Sequence, residues 1–318
     1  MNHPTFDFES YIQGYSAPSL LPRLLHIAKP NPTETEQTST IPTLPEYIKK
    51  AAHDLAIQTA KSTGNVVAFK KLVPESSRSP SDISWIASTT QSNASSLQSL
   101  HQLLTTSKSH LNKTATLTNY TAMGEELRKS GRDKDALREL GRAQAFCTNQ
   151  EQTFALCYTI TTLSLSSSSY SLARSQVSKA RSTPSSTPLS LLCILGGGVC
   201  DLIEGKWKLA WDTFTTVHGV SNHPELGKLA SPGDIALYAV ICGIVGGVCR
   251  SEFSGRTGSP SFREWGSGEL EGLCIAGHWN RGEYTSVMSA WSRLRTRALC
   301  DVHLAPRYEE LTRLLRQR

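Results

Sequence analysis

The chain has 318 residues, of which 38% are apolar and 19% charged, with a formal net charge of +6. That length suits one elongated array or two domains, and the Ser and Thr that replace apolar and charged residues point to a folded part diluted by polar stretches. The charge is too mild to indicate nucleic acid by itself, and no stretch approaches 18 uninterrupted apolar residues, the longest candidate (235–248) holding three glycines.

The first 30 residues contain Asp7, Glu9 and several prolines and no signal-length apolar run, so a nucleocytoplasmic protein is expected. The triplets at Asn93, Asn112 and Asn119 then read as chance products of a Ser/Thr-rich region. Eight cysteines include no Cys-x-x-Cys pair. Cys193/Cys200 and Cys242/Cys249 each lie seven residues apart, two turns along a helix and too far for a disulfide, so buried free thiols are expected.

In chain order, Phe6, Phe8, Tyr11, Ile12 and Tyr15 lead into Leu20, Leu21, Leu24, Leu25 and Ile27, whose i, i+4 pairs predict a short helix with Pro22 in its first turn. Residues 29–45, with four prolines, read as a linker. Helix is expected over 46–62, ended by Gly64-Asn65. The Ser-rich stretch 74–96, with Pro74 and Pro80, is expected to be flexible except near Trp85. Leu97, Leu100, Leu104, Leu111 and Leu117 form one long amphipathic stripe.

A helix-pair signature then recurs. Gly131, Ser168 and Gly205 are spaced by 37 residues, and small residues follow each at five and twelve positions: Ala136/Ala143, Ala173/Ala180 and Ala210/Val217. Gly or Ser turns the chain between antiparallel helices, and Ala lets the second helix approach the first; tetratricopeptide-type hairpins use this layout. An aromatic two residues after the turn supports it in units two and three (Tyr170, Trp207), while the first has Asp133. Gly196–Gly198 either permit close contact or bend their helix. Ser231 and Pro232 start another helix as N-cap and first residue. Gly255–Ser259 reads as a loop, Gly282 with Tyr284 as a fourth corner, and Leu311, Leu314 and Leu315 as a last amphipathic helix. With no alternating strand pattern, the chain reads as all-α.

Motifs for chemistry are missing. The glycines at 196–198, 243/246/247 and 266/268 lack Gly-x-Gly-x-x-Gly spacing and a following Lys-Ser or Lys-Thr. No His-x-His, His-Glu-x-x-His or Gly-x-Ser-x-Gly occurs; His218 and His223 flank a loop, and Cys147 and Cys300 read as helix-end packing. Residues 281–318 carry eight arginines against Glu283, Asp301, Glu309 and Glu310. Such a face suits an acidic protein or RNA, but no aromatics interleave with the arginines, so a solvated face is the default reading.

Five segments, in order, carry a family resemblance: Phe8-Glu9-Ser10-Tyr11-Ile12-Gln13-Gly14-Tyr15 with Arg23-Leu24-Leu25-His26-Ile27-Ala28; Gly131-Arg132-Asp133-Lys134-Asp135-Ala136-Leu137 through Arg142-Ala143-Gln144-Ala145-Phe146-Cys147-Thr148; Ser178-Lys179-Ala180 with Ser182-Thr183-Pro184; Pro224-Glu225-Leu226 and Leu229 to Tyr238; and Leu304-Ala305-Pro306-Arg307. Together they resemble the subunit-one family of the COP-nine signalosome, whose paralogue sits in the proteasome regulatory-particle lid. The Tyr-rich N-terminal segment favours the signalosome member. The resemblance implies an all-α, right-handed TPR-like hairpin solenoid leading into a PCI-type helical region, with the family's winged helix absent because the chain stops just after Leu-Ala-Pro and one helix.

It further implies a division into an N-terminal partner-binding segment (1–28), Pro/Ser-rich linkers with helices (29–118), TPR-like repeats (119–230) and an incomplete PCI helical part (231–318). The implied role is a non-catalytic scaffold in nucleus and cytoplasm that supports cullin deneddylation and ubiquitin-ligase regulation. It would have no catalytic, cofactor or metal residues and no small-molecule or membrane partner. Its partners would be other signalosome subunits and cullin-RING ligases, with partner-contact residues unassigned. A proteasome-lid subunit and an RNA-binding helical adaptor are the alternatives.

Overall fold

The structure is a computed structural model that describes residues 6–29, 44–183, 186–266 and 270–318. Most of the predicted linker over 29–45 lies outside those residues. Among the described residues every regular element is helical. The chain divides into two compact units, one of residues 1–50 with 191–318 and one of residues 51–190.

Helix α1 (Phe8–Gln13) is capped by Asp7, whose carboxylate accepts from the Glu9 and Ser10 N–H groups. Helix α2 (Ala17–Ile27) starts earlier than predicted, so Pro22 sits inside it rather than in its first turn. Helix α3 (Glu46–Thr63) buries Ile48, Ala52, Ala56 and Ala60 along one i, i+4 stripe. Gly64, at φ 72°, ends it as predicted, and Asn65 caps α4 (Val66–Leu72).

From Pro80 onward, the Ser-rich stretch 74–96 expected to be flexible is helical, as the first half of α5 (Pro80–Ser109), a helix of 30 residues. A capping box starts it: Ser79 accepts from the Asp82 N–H, Asp82 answers to the Ser79 N–H, and Pro80 occupies the first turn, where no N–H is needed. Many of its hydroxyls fold back onto carbonyls three or four residues earlier, as Ser88 does on Trp85 and Thr105 on His101. One face is covered, with Phe69 and Trp85 rings 5.0 Å apart and Asn93 donating to the Gly64 carbonyl. The predicted leucine stripe is two helices, not one. Leu111 is the turn between α5 and α6 (Lys113–Lys129), at φ 53° and 87% exposed.

The predicted corners are observed. α7 (Asp133–Ala143), α8 (Gln150–Ser166), α9 (Tyr170–Ser182), α10 (Pro188–Ile203) and α11 (Trp207–Thr216) follow the hairpin order read from the sequence. Gly131, Ser168, Gly205 and Gly282 all have positive φ, between 58° and 78°. After each, the next N–H reaches back to the carbonyl five residues earlier: Arg132 to Leu127, Ser169 to Ser164, Lys206 to Asp201 and Glu283 to His278. This is a Schellman-type helix end. The alanines five residues on (Ala136, Ala173, Ala210) are wholly buried. The core of the 51–190 unit runs from Leu104 through Tyr120, Leu127, Leu137 and Leu140 to Ile160 and Leu163. Gly198 resolves in favour of close contact, since a Cβ there would meet the Phe214 ring at 2.8 Å.

In the other unit, α12 (Pro232–Val245) is buried from Asp234 to Val245 and begins with the predicted Ser231 cap, again as a capping box. The predicted loop at Gly255–Ser259 shrinks to a turn at Gly258-Ser259 between α13 (Arg250–Thr257) and α14 (Pro260–Arg263), with Phe253, Phe262 and Trp265 buried around it. Large apolar side chains on both sides of the small residues supply the packing that a glycine- and serine-rich composition hid. α15 (Leu270–Arg281), α16 (Tyr284–Arg293), α17 (Arg295–Cys300) and α18 (Tyr308–Arg316) complete the unit.

Candidate functional site

The most chemically organised region of the chain is a buried polar clasp in the unit of residues 1–50 and 191–318. The apolar face of α2 carries one cation, Arg23, among Leu21, Leu24 and Ile27. Its guanidinium is 3% exposed, lies 3.3 Å from Asp301 and donates to the Leu229 carbonyl at 2.9 Å. It also lies over the Tyr15 ring at 4.0 Å. The Tyr15 hydroxyl donates to Asp234. Asp234 also pairs with Arg297 at 3.2 Å and accepts from the Ser231 N–H at 3.0 Å. Asp301 accepts from the Tyr238 hydroxyl at 2.6 Å and from the His303 and Leu304 N–H groups at 2.8 and 2.9 Å. Two cations thus face two carboxylates out of water, with hydroxyls and amides on the remaining lone pairs, the condition for a buried ion pair to hold.

Close backbone approach makes the clasp possible. A Cβ at Gly14 would lie 3.1 Å from the Ser231 side chain, while Ser19 donates to the Gly227 carbonyl at 2.6 Å. The N-terminal segment thus packs on its own chain through Tyr11, Tyr15 and Arg23, while Asp7, Glu9, Ser10 and Gln13 stay exposed. Burial would raise the Asp301 carboxyl, but Arg23 beside it, with His303, Tyr238 and the Leu304 amide, holds it below the usual carboxylate range. Burial drives the His303 imidazole down to about 4, against the opposing pull of Asp301, and leaves it neutral at pH 7.

Sequence reasoning names Tyr15, Arg23, Ser231 and Asp301 in other roles and does not bring them together as a site, although a signal is present. Arg23 interrupts an apolar stripe, and Asp234 and Tyr238 interrupt a run of apolar residues in α12. Residues weighed for chemistry are not brought together. Cys300 is buried, its thiol pushed up to about 12 by burial; Cys147 is half-buried and also raised by burial. Five cysteines are buried free thiols as expected, while Cys249 and Cys274 are exposed. His223 accepts from the Glu225 N–H at 3.2 Å. Among the described residues no group of three or more His, Cys, Asp and Glu is placed to hold a metal ion, and no helix is long and apolar enough to cross a membrane.

The arginine-rich end is largely spent on structure. Arg297 is inside the clasp, Arg307 donates to the Ile203 carbonyl at 2.6 Å and pairs with Glu310, Arg318 donates to the Val245 carbonyl at 2.8 Å, and Arg281 pairs with Glu283 at 2.7 Å. Arg293, Arg295, Arg313 and Arg316 remain exposed. A face with half its cations spent in this way is a poor fit to a phosphate-backbone track.

Comparison with known proteins agrees with this architecture. The chain is similar to COP9 signalosome complex subunit 1b of Drosophila melanogaster, with 22% identity over 246 residues, which is 74% of this chain and 46% of that protein. It thus spans about half the length of that relative. The family model described as 26S proteasome subunit RPN7 matches residues 82–252, from the first turn of α5 into α13. A match over more than half of the chain, laid on the hairpins just described, shows that this protein belongs to the RPN7 family of helical proteasome-lid and signalosome-type subunits.

Proposed function

We propose that this protein is a non-catalytic scaffold subunit of a signalosome-type complex, supporting cullin deneddylation and ubiquitin-ligase regulation through protein–protein contacts. The carrying observation is the placement of the RPN7-family match on the hairpin array from α5 to α13, an architecture that presents surface rather than reactive groups. Its partners are the other subunits of the complex and, through them, cullin-RING ligases, in nucleus and cytoplasm. Residues 119–230 serve as the repeat part and 231–318 as the PCI-type helical part.

A second reading, a subunit of the proteasome lid, is favoured by the description of the matching family itself. One experiment separates the two. The tagged full chain, expressed in its native host, is captured and the co-purifying proteins are identified by mass spectrometry. Signalosome subunits and cullins are expected. Proteasomal ATPases instead would move the chain to the lid, and neither set would overturn the scaffold reading.

A further inference from the structure

Three corners of the 1–50/191–318 unit share a device. Gly205, Gly247 and Gly282 each have φ between 72° and 78°, and an arginine from another helix or from the C-terminus lies over each. A Cβ would come within 3.7 Å of the Arg307 guanidinium at Gly205, 3.0 Å of Arg318 at Gly247 and 3.3 Å of Arg250 at Gly282. Missing Cβ atoms make room for a flat cation over the helix end, where carbonyls concentrate negative charge.

Two of these arginines are consumed there. Arg307 donates twice to the Ile203 carbonyl and pairs with Glu310 at 2.6 Å, while Arg318 donates to the Val245 carbonyl. Arg250 differs. It reaches no carbonyl and no carboxylate among the described residues; its partners are aromatic. It donates to the Tyr284 hydroxyl, and its guanidinium carbon lies 5.2 Å from the Tyr284 ring centre and 5.6 Å from that of Trp279. The nearby carboxylates are already committed, Glu252 to Arg256 at 2.8 Å and Glu283 to Arg281 at 2.7 Å and His278 at 2.6 Å. Arg250 is exposed, Tyr284 is 46% exposed, and Trp279 beneath them is buried.

The result is an exposed guanidinium pre-oriented by two rings, with no carboxylate partner among the described residues. A planar fork of this kind matches a carboxylate bidentately, and ring contacts reduce the entropy lost on binding. Arg, Tyr and Trp are also the residue types that dominate protein-interface energetics. Single-stranded nucleic acid fits less well, because base stacking needs open aromatic faces. Here Trp279 is buried and Arg250 lies against the Tyr284 ring. We propose that Arg250, held by Tyr284 and Trp279 at the Gly282 corner, anchors a docking surface for an acidic, carboxylate-bearing segment of a partner protein. The inference rests on the scaffold reading above and names the chemistry of one contact.

The test uses the isolated full chain and a fluorescently labelled hexaglutamate peptide followed by anisotropy, with labelled hexauridylate RNA in parallel. Saturable peptide binding is expected at low salt, weakening as salt rises. Arg250→Ala should weaken it at least tenfold and Arg250→Lys about threefold, because a point charge replaces the fork. Arg313→Ala should leave it within twofold, and all variants should keep the parent melting temperature. The proposal falls if the peptide does not bind, if Arg250→Ala binds as well as the parent, or if the RNA binds more tightly through Arg250. A failed peptide titration with intact capture of complex subunits would remove this contact and leave the scaffold reading standing.

Discussion

The two units solve the same problem, packing short helices around a core, by opposite means. In residues 51–190 each helix closes mainly on its neighbours in sequence, and its ion pairs keep at least one partner in water: Arg132 and Asp135 are 52% and 28% exposed, and the buried Glu139 pairs with Arg142, which is 56% exposed. In residues 1–50 with 191–318 the closing contacts span up to 278 residues of chain, and the ion pair that makes them, Arg23–Asp301, is 3% and 1% exposed. Local closure lets each corner form independently, as in repeat arrays. Closure through a buried pair makes one end of the chain a requirement for folding the other. Ion pairs therefore stay open to water in one unit and are sealed from it in the other.

The sharpest way to break that contrast is Arg23→Ala. It leaves Asp301 buried without its cation, and removing one partner of a buried pair costs about 3–5 kcal/mol. Urea unfolding should show that loss, and hydrogen exchange should place it in α2, α12 and α17. Arg23→Lys should lose less, since the charge stays while the second donor to Leu229 goes. An equal loss of protection across α6–α9 would refute the idea that the clasp belongs to one unit.

Acid should act in the same place with a somewhat smaller effect. His303 is held at about 4, below the ordinary imidazole value of 6.5. Between those values the unfolded chain takes a proton that the folded chain refuses, so stability is full above pH 6.5 and falls toward pH 4, by about 3 kcal/mol at most. Asp301, also held low, continues the loss below the usual carboxylate range. Asp133 in the other unit has the opposite sign: burial raises its carboxyl, so acid relieves strain there rather than adding it. Chemical unfolding at pH 7 and pH 4.5 checks this, and His303→Gln should flatten the dependence. A parent stability unchanged between those pH values would remove His303 from the clasp.

What could be read from the sequence follows the same division. The corners were legible because a turn needing positive φ and a helix needing Ala at fixed offsets leave local marks, at Gly131, Ala136 and Ala143 and their repeats. Helix α5 carries a local start mark that its composition masks. Ser79-Pro80-x-Asp82 is the same start signal as Ser231-Pro232-x-Asp234, but a following run of Ser and Thr, poor helix formers when exposed, outweighed it. The clasp is only partly legible: Arg23 interrupts an apolar stripe, but nothing local distinguishes Asp301 from a solvated charge, and their pairing exists only after the chain has folded.

The corners also carry a smaller prediction. Ser168 adopts φ 58° where its counterparts in the series are glycines. A non-glycine residue in the left-handed region is strained by about 1–2 kcal/mol, partly offset by the greater chain entropy of glycine when unfolded. Ser168→Gly should therefore stabilise the 51–190 unit by about 1 kcal/mol, seen as a higher urea midpoint with unchanged slope. Destabilisation would mean that the Ser168 hydroxyl matters more than its backbone conformation.

The smallest expected effect tests the comparison most directly. Asp135 pairs with Arg132 at 2.6 Å and Arg138 at 3.0 Å in the first turn of α7, and the hydrogen bond from Arg132 holds its carboxyl below the usual range. By distance alone these contacts are closer than Arg23–Asp301. Exposure reverses the ranking, because water already solvates the separated charges and salt screens the pair. Asp135→Asn should cost about 0.5 kcal/mol, less at high salt, against several for Arg23→Ala. A loss above about 1.5 kcal/mol would show that the 51–190 unit also depends on charge for its fold, and the contrast between the units would reduce to one of connectivity.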